Sequence, residues 1–237
     1  MSTPTESAAQ ERFWIRIQAA SGLAFSLFLV LHLANTMTAS GGEETFNAFQ
    51  GGVRRFYQTV LFEILLVAAP LVTHMVASTV RIVRRRRRGR SEQPVLRTRL
   101  HRYSGWFLLA VILGHVAATR LVPLATDTQV RFGDLNFTTV FYGVPFAIYY
   151  MLLGVSGTYH LLNGLTIATR VFGVRWPSDV AKGPAFWVPA TALIALIVVG
   201  VTSFAGWIFP VDPELWGDSS ALLAEFMGTD LETIAGR

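Results

Sequence analysis

Five apolar stretches, at residues 17–38, 57–83, 103–122, 140–169 and 185–209, are each long enough to cross the roughly 30 Å hydrocarbon core of a bilayer as a helix. Lipid offers no partner for a backbone N–H or C=O, so a chain with such stretches satisfies them inside helices. The expected fold is all-α: an integral membrane bundle of five transmembrane helices, with residues 1–210 as the membrane domain and 211–237 as a polar tail. The fourth stretch is long and should tilt or protrude. The first is longer than a signal-peptide core and follows a polar segment, so it is read as a span. Composition agrees, with 52% hydrophobic and only 15% charged residues. The chain has no cysteine, which excludes disulfides, thiolate metal sites, iron–sulfur ligation and thioether-linked haem. Any metal must be held by nitrogen or oxygen.

Charge placement orients the chain. With a cytoplasmic N-terminus, the inner segments hold Arg12, Arg16, the run from Arg81 to Arg102, Arg170, Arg175 and Lys182, fifteen Lys and Arg in all. The outer segments hold five: Arg54, Arg55, Arg120, Arg131 and Arg237. The positive-inside rule therefore expects the N-terminus in the cytoplasm and, after five spans, the acidic C-terminal tail outside. The arginine-rich stretch Arg84–Arg102 is expected to meet anionic lipid and, in part, a soluble partner. Nucleic acid is not among the expected partners.

The pattern R-x4-S-G-x9-H occurs twice, as Arg16, Ser21, Gly22, His32 and as Arg99, Ser104, Gly105, His115. It suggests two related helical hairpins forming a four-helix bundle, with the fifth helix appended. Four of the five histidines fall inside spans, one on each of the first four helices. Intramembrane ionisable residues are costly and mark function. From the helical rise, His32 and His115 each lie roughly 24 Å beyond an inner-edge arginine. His74 and His160, on helices running the other way, lie roughly 14–15 Å from the inner edge. The histidines thus sort into two pairs at two depths, each from two parallel helices. A haem edge-on in a bundle takes one imidazole on each face. The reading is two b-type haems, an outer one on His32 and His115 and an inner one on His74 and His160. One tetrahedral zinc cannot span two depths. Gly114, Gly154, Ser156 and Gly157 would let a ring or a backbone come close, and Pro70 should kink the second helix.

Other residues are weighed against blander roles. His101, beside Arg102 and Tyr103, reads as interfacial, with His101 and Arg102 as donors to a haem propionate. Ser21 and Ser104 stand eleven residues before their helix's histidine, about three turns, and so face the same way. They would bond the inner haem or a quinone head group, or else their own helix carbonyls. Glu63 is the most plainly intramembrane carboxylate. It stands eleven residues before His74 and is read as a proton-exchange group for quinone, against an ion pair with Arg54, Arg55 or Arg120.

These residues resemble a known family. Five spans, one histidine on each of the first four, and the runs R-I-Q-A-A-S-G with His32, H-R-Y-S-G-W with His115 and Y-H-L-L-N-G at His160 are similar to the dihaem cytochrome b anchor of succinate:quinone oxidoreductases. This is the single-polypeptide class shared by succinate dehydrogenases and fumarate reductases. The likeness runs from Arg12 to Trp207. It implies that the first and third helices supply the distal haem and the second and fourth the proximal one. It also implies a flavoprotein and an iron–sulfur subunit on the cytoplasmic face of a bacterial or archaeal inner membrane. Electrons would pass between them and menaquinone or ubiquinone. The chain has no flavin motif and no iron–sulfur ligands, so it would not oxidise succinate alone. Some fumarate reductases of this class carry a glutamate two residues before the last haem ligand; here that position is Thr158, which favours the succinate-oxidising branch. The rival readings are a cytochrome b subunit of a hydrogenase or formate dehydrogenase, a haemless proton-relay channel, and a purely structural anchor.

Overall fold

The structure is a computed structural model and describes residues 4–87, 94–178, 180, 183–210 and 212–236. Arg88, Arg90, Lys182 and Arg237, counted above in the charge balance, lie outside the described residues. Every element among the described residues is helical.

Helix α1 (Pro4–Thr38) is 35 residues long, more than a bilayer core needs. It closes in a 3-10 turn at Ala39–Gly41, and Gly42, at φ 87°, supplies the left-handed residue that ends it. Helix α2 (Glu43–Tyr57) is amphipathic: Phe46 is buried, while Glu44, Arg55 and Phe56 are exposed. The second span was expected to start at residue 57. Instead Tyr57 closes α2, and the chain restarts as a helical turn Val60–Phe62, a π-helical stretch Glu63–Ala68 and helix α3 (Ala69–Arg87). Helix α4 (Leu96–Val116) likewise passes into a π-helical stretch, Ala117–Leu121, before Val122–Ala125. Both π-stretches end two residues before a proline, Pro70 and Pro123. A proline removes one N–H and crowds the preceding turn, and a wider i→i+5 turn accommodates that.

The fourth expected stretch, 140–169, is two helices, α5 (Phe132–Tyr142) and α6 (Val144–Val171). Gly143, at φ 70°, makes the break, and Pro145 follows as a helix-starting residue. Helix α7 (Pro184–Phe204) is followed by Gly206 at φ 80°.

Among the described residues, four helical stretches are long and apolar enough to cross a membrane: Ala8–Gly41, Glu63–Arg87, Leu96–Ala125 and Pro184–Phe204. They carry large apolar side chains on the outside, such as Leu27, Leu113 and Val188, at 62%, 66% and 70% exposure. A water-soluble surface avoids such patches, whereas lipid requires them. Helix α6 has the length, at 28 residues, but not the apolarity of those four. Its polar side chains point inward, with Thr158, Asn163 and Thr166 all buried.

The chain divides into two compact units, the first comprising Met1–His32, Val53–Gly105 and Thr158–Thr191. In it Gln18 and Glu11 of α1 bind α3: Gln18 donates to Ser78 Oγ at 2.8 Å and accepts from Arg81, whose Nε lies 3.4 Å from Glu11. The second unit comprises Leu33–Gly52, Trp106–Gly157 and Ala192–Arg237. There Gly200 of α7 meets the Thr36 carbonyl of α1, and Gly154 of α6 meets Ile197, both without room for a methyl. Such small-residue contacts let helix backbones pack closely.

The C-terminal residues expected as a polar tail are folded within this second unit. A 3-10 turn Pro213–Leu215 leads to α8 (Asp218–Phe226) and α9 (Leu231–Ala235), and Trp216, Ala224 and Ile234 pack around Phe137 of α5. Polar bonds fix the arrangement. Asp134 accepts from the Ser220 N–H at 2.9 Å and its hydroxyl at 2.6 Å, and Trp216 Nε1–H donates to Asn136 at 3.0 Å. Asp230 caps α9, and the Thr233 N–H holds its carboxyl below the usual range. Trp216→Ala removes the largest piece of this core. It is expected to cost about 3–5 kcal/mol of stability, read as a lower thermal midpoint in detergent.

Candidate functional site

The polar residues of the first unit converge on two imidazoles. His74 of α3 donates its Nδ1–H to the Gln18 carbonyl of α1 at 3.0 Å. A carbonyl can only accept, so the proton is on Nδ1 and Nε2 keeps its lone pair. His160 of α6 sits in the same way against α4. Its Nδ1 lies 3.3 Å from the His101 carbonyl and 3.3 Å from Ser104 Oγ. The two ring centroids are 6.3 Å apart, with planes at 88°.

Glycine permits both approaches. A methyl at Gly22 would stand 3.0 Å from His74 Cε1 and Nδ1, and one at Gly105 would stand 3.0 Å from His160 Cε1. Both are closer than ordinary van der Waals contact, and only a residue without Cβ leaves the helix flank open to a ring.

The arrangement suits haem iron. A metal shared by two imidazoles at about 2.0–2.1 Å from each nitrogen puts their centroids about 6.3 Å apart, since a ring centroid lies about 1.1 Å behind its nitrogen. Metal-bound histidines usually give their other N–H to a carbonyl, which fixes the tautomer and the ring orientation. Among the described residues, no three His, Asp or Glu side chains gather as a metal site. A bis-histidine haem takes two nitrogens, which His74 and His160 would supply. Near His160 two buried nitrogens have no hydrogen-bond partner, His101 Nδ1 and Asn163 Nδ2. Buried polar atoms are normally satisfied, so an unpaired pair asks for an absent acceptor.

His101 packs against the pair. Its ring stacks on His160 at 4.1 Å and 9°, with Cε1 3.6 Å from where a Gly164 methyl would stand. Arg102, its expected companion, is exposed. Arg97, one turn earlier on α4, is the arginine that faces inward. It donates to Asn163 Oδ1 at 2.5 Å, Thr166 Oγ1 at 2.8 Å and the Val180 carbonyl at 3.0 Å, and it lies 3.5 Å over the Phe186 ring. Sequence reading missed Arg97 and Gln18. The available signal was spacing: Arg97 stands four residues before His101, on the same helix face.

The serines bond their own helices. Ser21 Oγ donates to the Ile17 carbonyl at 2.7 Å and lies 3.2 Å from that of Gln18, and Ser104 Oγ donates to His101 at 3.0 Å. Glu63 is half-buried at the start of the first π-stretch. Its expected alignment with His74 assumed an uninterrupted α-helix. A π-turn holds one extra residue, about 100° of rotation, so eleven residues no longer return Glu63 to the His74 face. Of the outer pair, His32 closes the first unit's share of α1, where Phe28 stacks on it at 5.5 Å, and His115 lies in the second unit.

No protein-family model, curated protein or solved structure matches the chain. Fold and composition define a class, an all-helical membrane protein.

Proposed function

We propose that this chain is a cytochrome b-type membrane anchor with five spans, α6 being the fourth. It would carry electrons between an iron–sulfur subunit and membrane quinone as part of a succinate:quinone oxidoreductase. The observation that carries the reading is the His74–His160 pair, with rings 6.3 Å apart and each Nδ1 engaged by a neighbouring helix. His74 and His160 would hold the inner haem b; the outer haem b, on His32 and His115, rests on their depths in the sequence. When bound, the haem supplies one-electron transfer at its iron. The chain's part is to hold both Nδ1 protons on backbone carbonyls, keep both Nε2 atoms as ligands, and exclude water from the rings. His101 and Asn163 would donate to an acidic group at the haem edge. The half-buried Arg84 and the exposed Arg87 would meet the iron–sulfur subunit and anionic lipid.

A pyridine haemochrome assay on the purified chain tests the reading: two haems b per chain are expected, and none would sink it. Copurification of flavoprotein and iron–sulfur subunits separates it from a hydrogenase or formate dehydrogenase anchor. Ring planes at 88° bring the two iron orbitals that bond the ligands close in energy. The ferric inner haem is therefore expected to give a highly anisotropic low-spin EPR signal, where parallel rings would give a rhombic one.

Glu63→Gln tests the quinone role. With the carboxylate rotated off the His74 face, both haems and near-wild-type quinone turnover are expected. A loss of about a hundredfold, the scale of a positioned acid–base group, would put Glu63 back at the quinone.

A further inference from the structure

The repeat R-x4-S-G-x9-H places the same seat on α1 and α4. In each copy the carbonyl four residues before the glycine, Gln18 or His101, lies within reach of an imidazole Nδ1 from another helix, at 3.0 and 3.3 Å. In each copy the glycine removes the Cβ that would strike that imidazole, with 3.0 Å to Cε1 in both. In each copy the serine hydroxyl approaches the same carbonyl, at 3.2 Å for Ser21 and 3.0 Å for Ser104. Carbonyl, serine and glycine stand at i, i+3 and i+4, one turn of one helix face. One such coincidence would be packing; two, at equivalent positions of a repeat and on the two members of one histidine pair, define a device.

We propose that the Ser-Gly step of each copy is a histidine seat, and that Gly22 and Gly105 are positioning residues for the inner haem ligands His74 and His160. The inference rests on the haem reading above. It also explains the rest of the repeat. Ten residues beyond the seat glycine, on both helices, stands a histidine of the outer pair, His32 or His115. One helix therefore seats a ligand of the inner haem and, roughly 15 Å further along, supplies a ligand of the outer one. The seat acts on the iron through the imidazole. A carbonyl that draws more strongly on Nδ1–H makes the ring a better donor and favours ferric iron. In the second copy the Ser104 hydroxyl donates to that carbonyl and moderates the effect.

The test uses the full chain purified from membranes with its haems. A His74→Ala variant assigns which EPR signal and which midpoint potential belong to the inner haem. Gly22→Ala and Gly105→Ala push on the seated rings. Each is expected to shift the inner haem's EPR signal or to lose that haem alone, leaving the outer signal unmoved. Gly51→Ala, on α2 with nothing within 4 Å of the added methyl, is expected to change neither. Ser104→Ala removes only the hydroxyl that donates to the His101 carbonyl and is expected to shift the inner potential, since that carbonyl then serves His160 alone. If the glycine variants do not accumulate, Ser104→Ala decides: an inner potential that moves alone supports the seat, and unmoved potentials overturn it. Inner EPR signals unchanged in both glycine variants also overturn it. A wild-type chain without haem would instead overturn the reading on which the seat rests.

Discussion

Replacing His160 by glycine is expected to leave one haem b per chain and to abolish electron delivery to quinone. The His160 ring centroid lies 6.3 Å from that of His74, and bis-histidine ligation has no reserve donor when one ring is lost. His101, stacked on the His160 ring, is not such a reserve. Its backbone carbonyl and Nδ1 belong to α4, and its ring lies parallel to His160 at 9° rather than opposite His74. The haemochrome ratio should fall from two to one while the outer signal persists. Added imidazole can occupy the space left by the ring and reach the Ser104 hydroxyl and the His101 carbonyl, so it is expected to restore part of the inner haem. Two haems in the variant without imidazole would remove His160 from the ligand set.

The second large effect concerns Arg97. Its guanidinium satisfies Asn163, which is 2% exposed, together with Thr166 and the Val180 carbonyl, and it covers the buried Phe186 ring. Arg97→Met keeps the apolar stem and deletes the donors. Asn163 already has an unpaired Nδ2, and it would then lose its Oδ1 partner too. Each buried polar atom left unsatisfied costs about 1–3 kcal/mol, so the variant should lose at least about 2 kcal/mol. Arg97→Lys is expected to recover little, because one ammonium cannot reproduce a planar fork reaching three acceptors. Thermal unfolding in detergent reads the loss. A midpoint within a degree or two of wild type would mean that the arginine is dispensable.

Much of this was legible in the sequence because the signals were local. Long apolar runs mark helices at almost any depth of detail, and a histidine inside each of four apolar runs is hard to hide. What escaped was non-local or depended on the exact turn. The π-stretches at Glu63–Ala68 and Ala117–Leu121 change helix phase without changing the apolar pattern, so the Glu63 alignment failed. The break at Gly143 lies inside a continuous apolar run, where only one glycine and one proline mark it. The R-x4-S-G-x9-H repeat was visible as a string, but it left open whether its serines meet a ligand or their own helix carbonyls, and they bond the carbonyls. That backbone acceptor has no letter in the sequence. Arg97 was counted with the topological charges because neighbouring arginines masked its inward face.

The C-terminal helices carry a consequence for synthesis. Phe137 is complete as a core only when Trp216, Ala224 and Ile234 close over it, and those residues are synthesised well after it. Until they emerge, α5 presents an uncovered aromatic ring and an Asp134 carboxylate waiting for Ser220, 86 residues downstream. A chain cut short before Trp216 thus keeps all four span histidines and still displays an unfinished surface. A protease acting on exposed apolar segments is therefore expected to cut such a truncated chain faster than one that reaches Ile234.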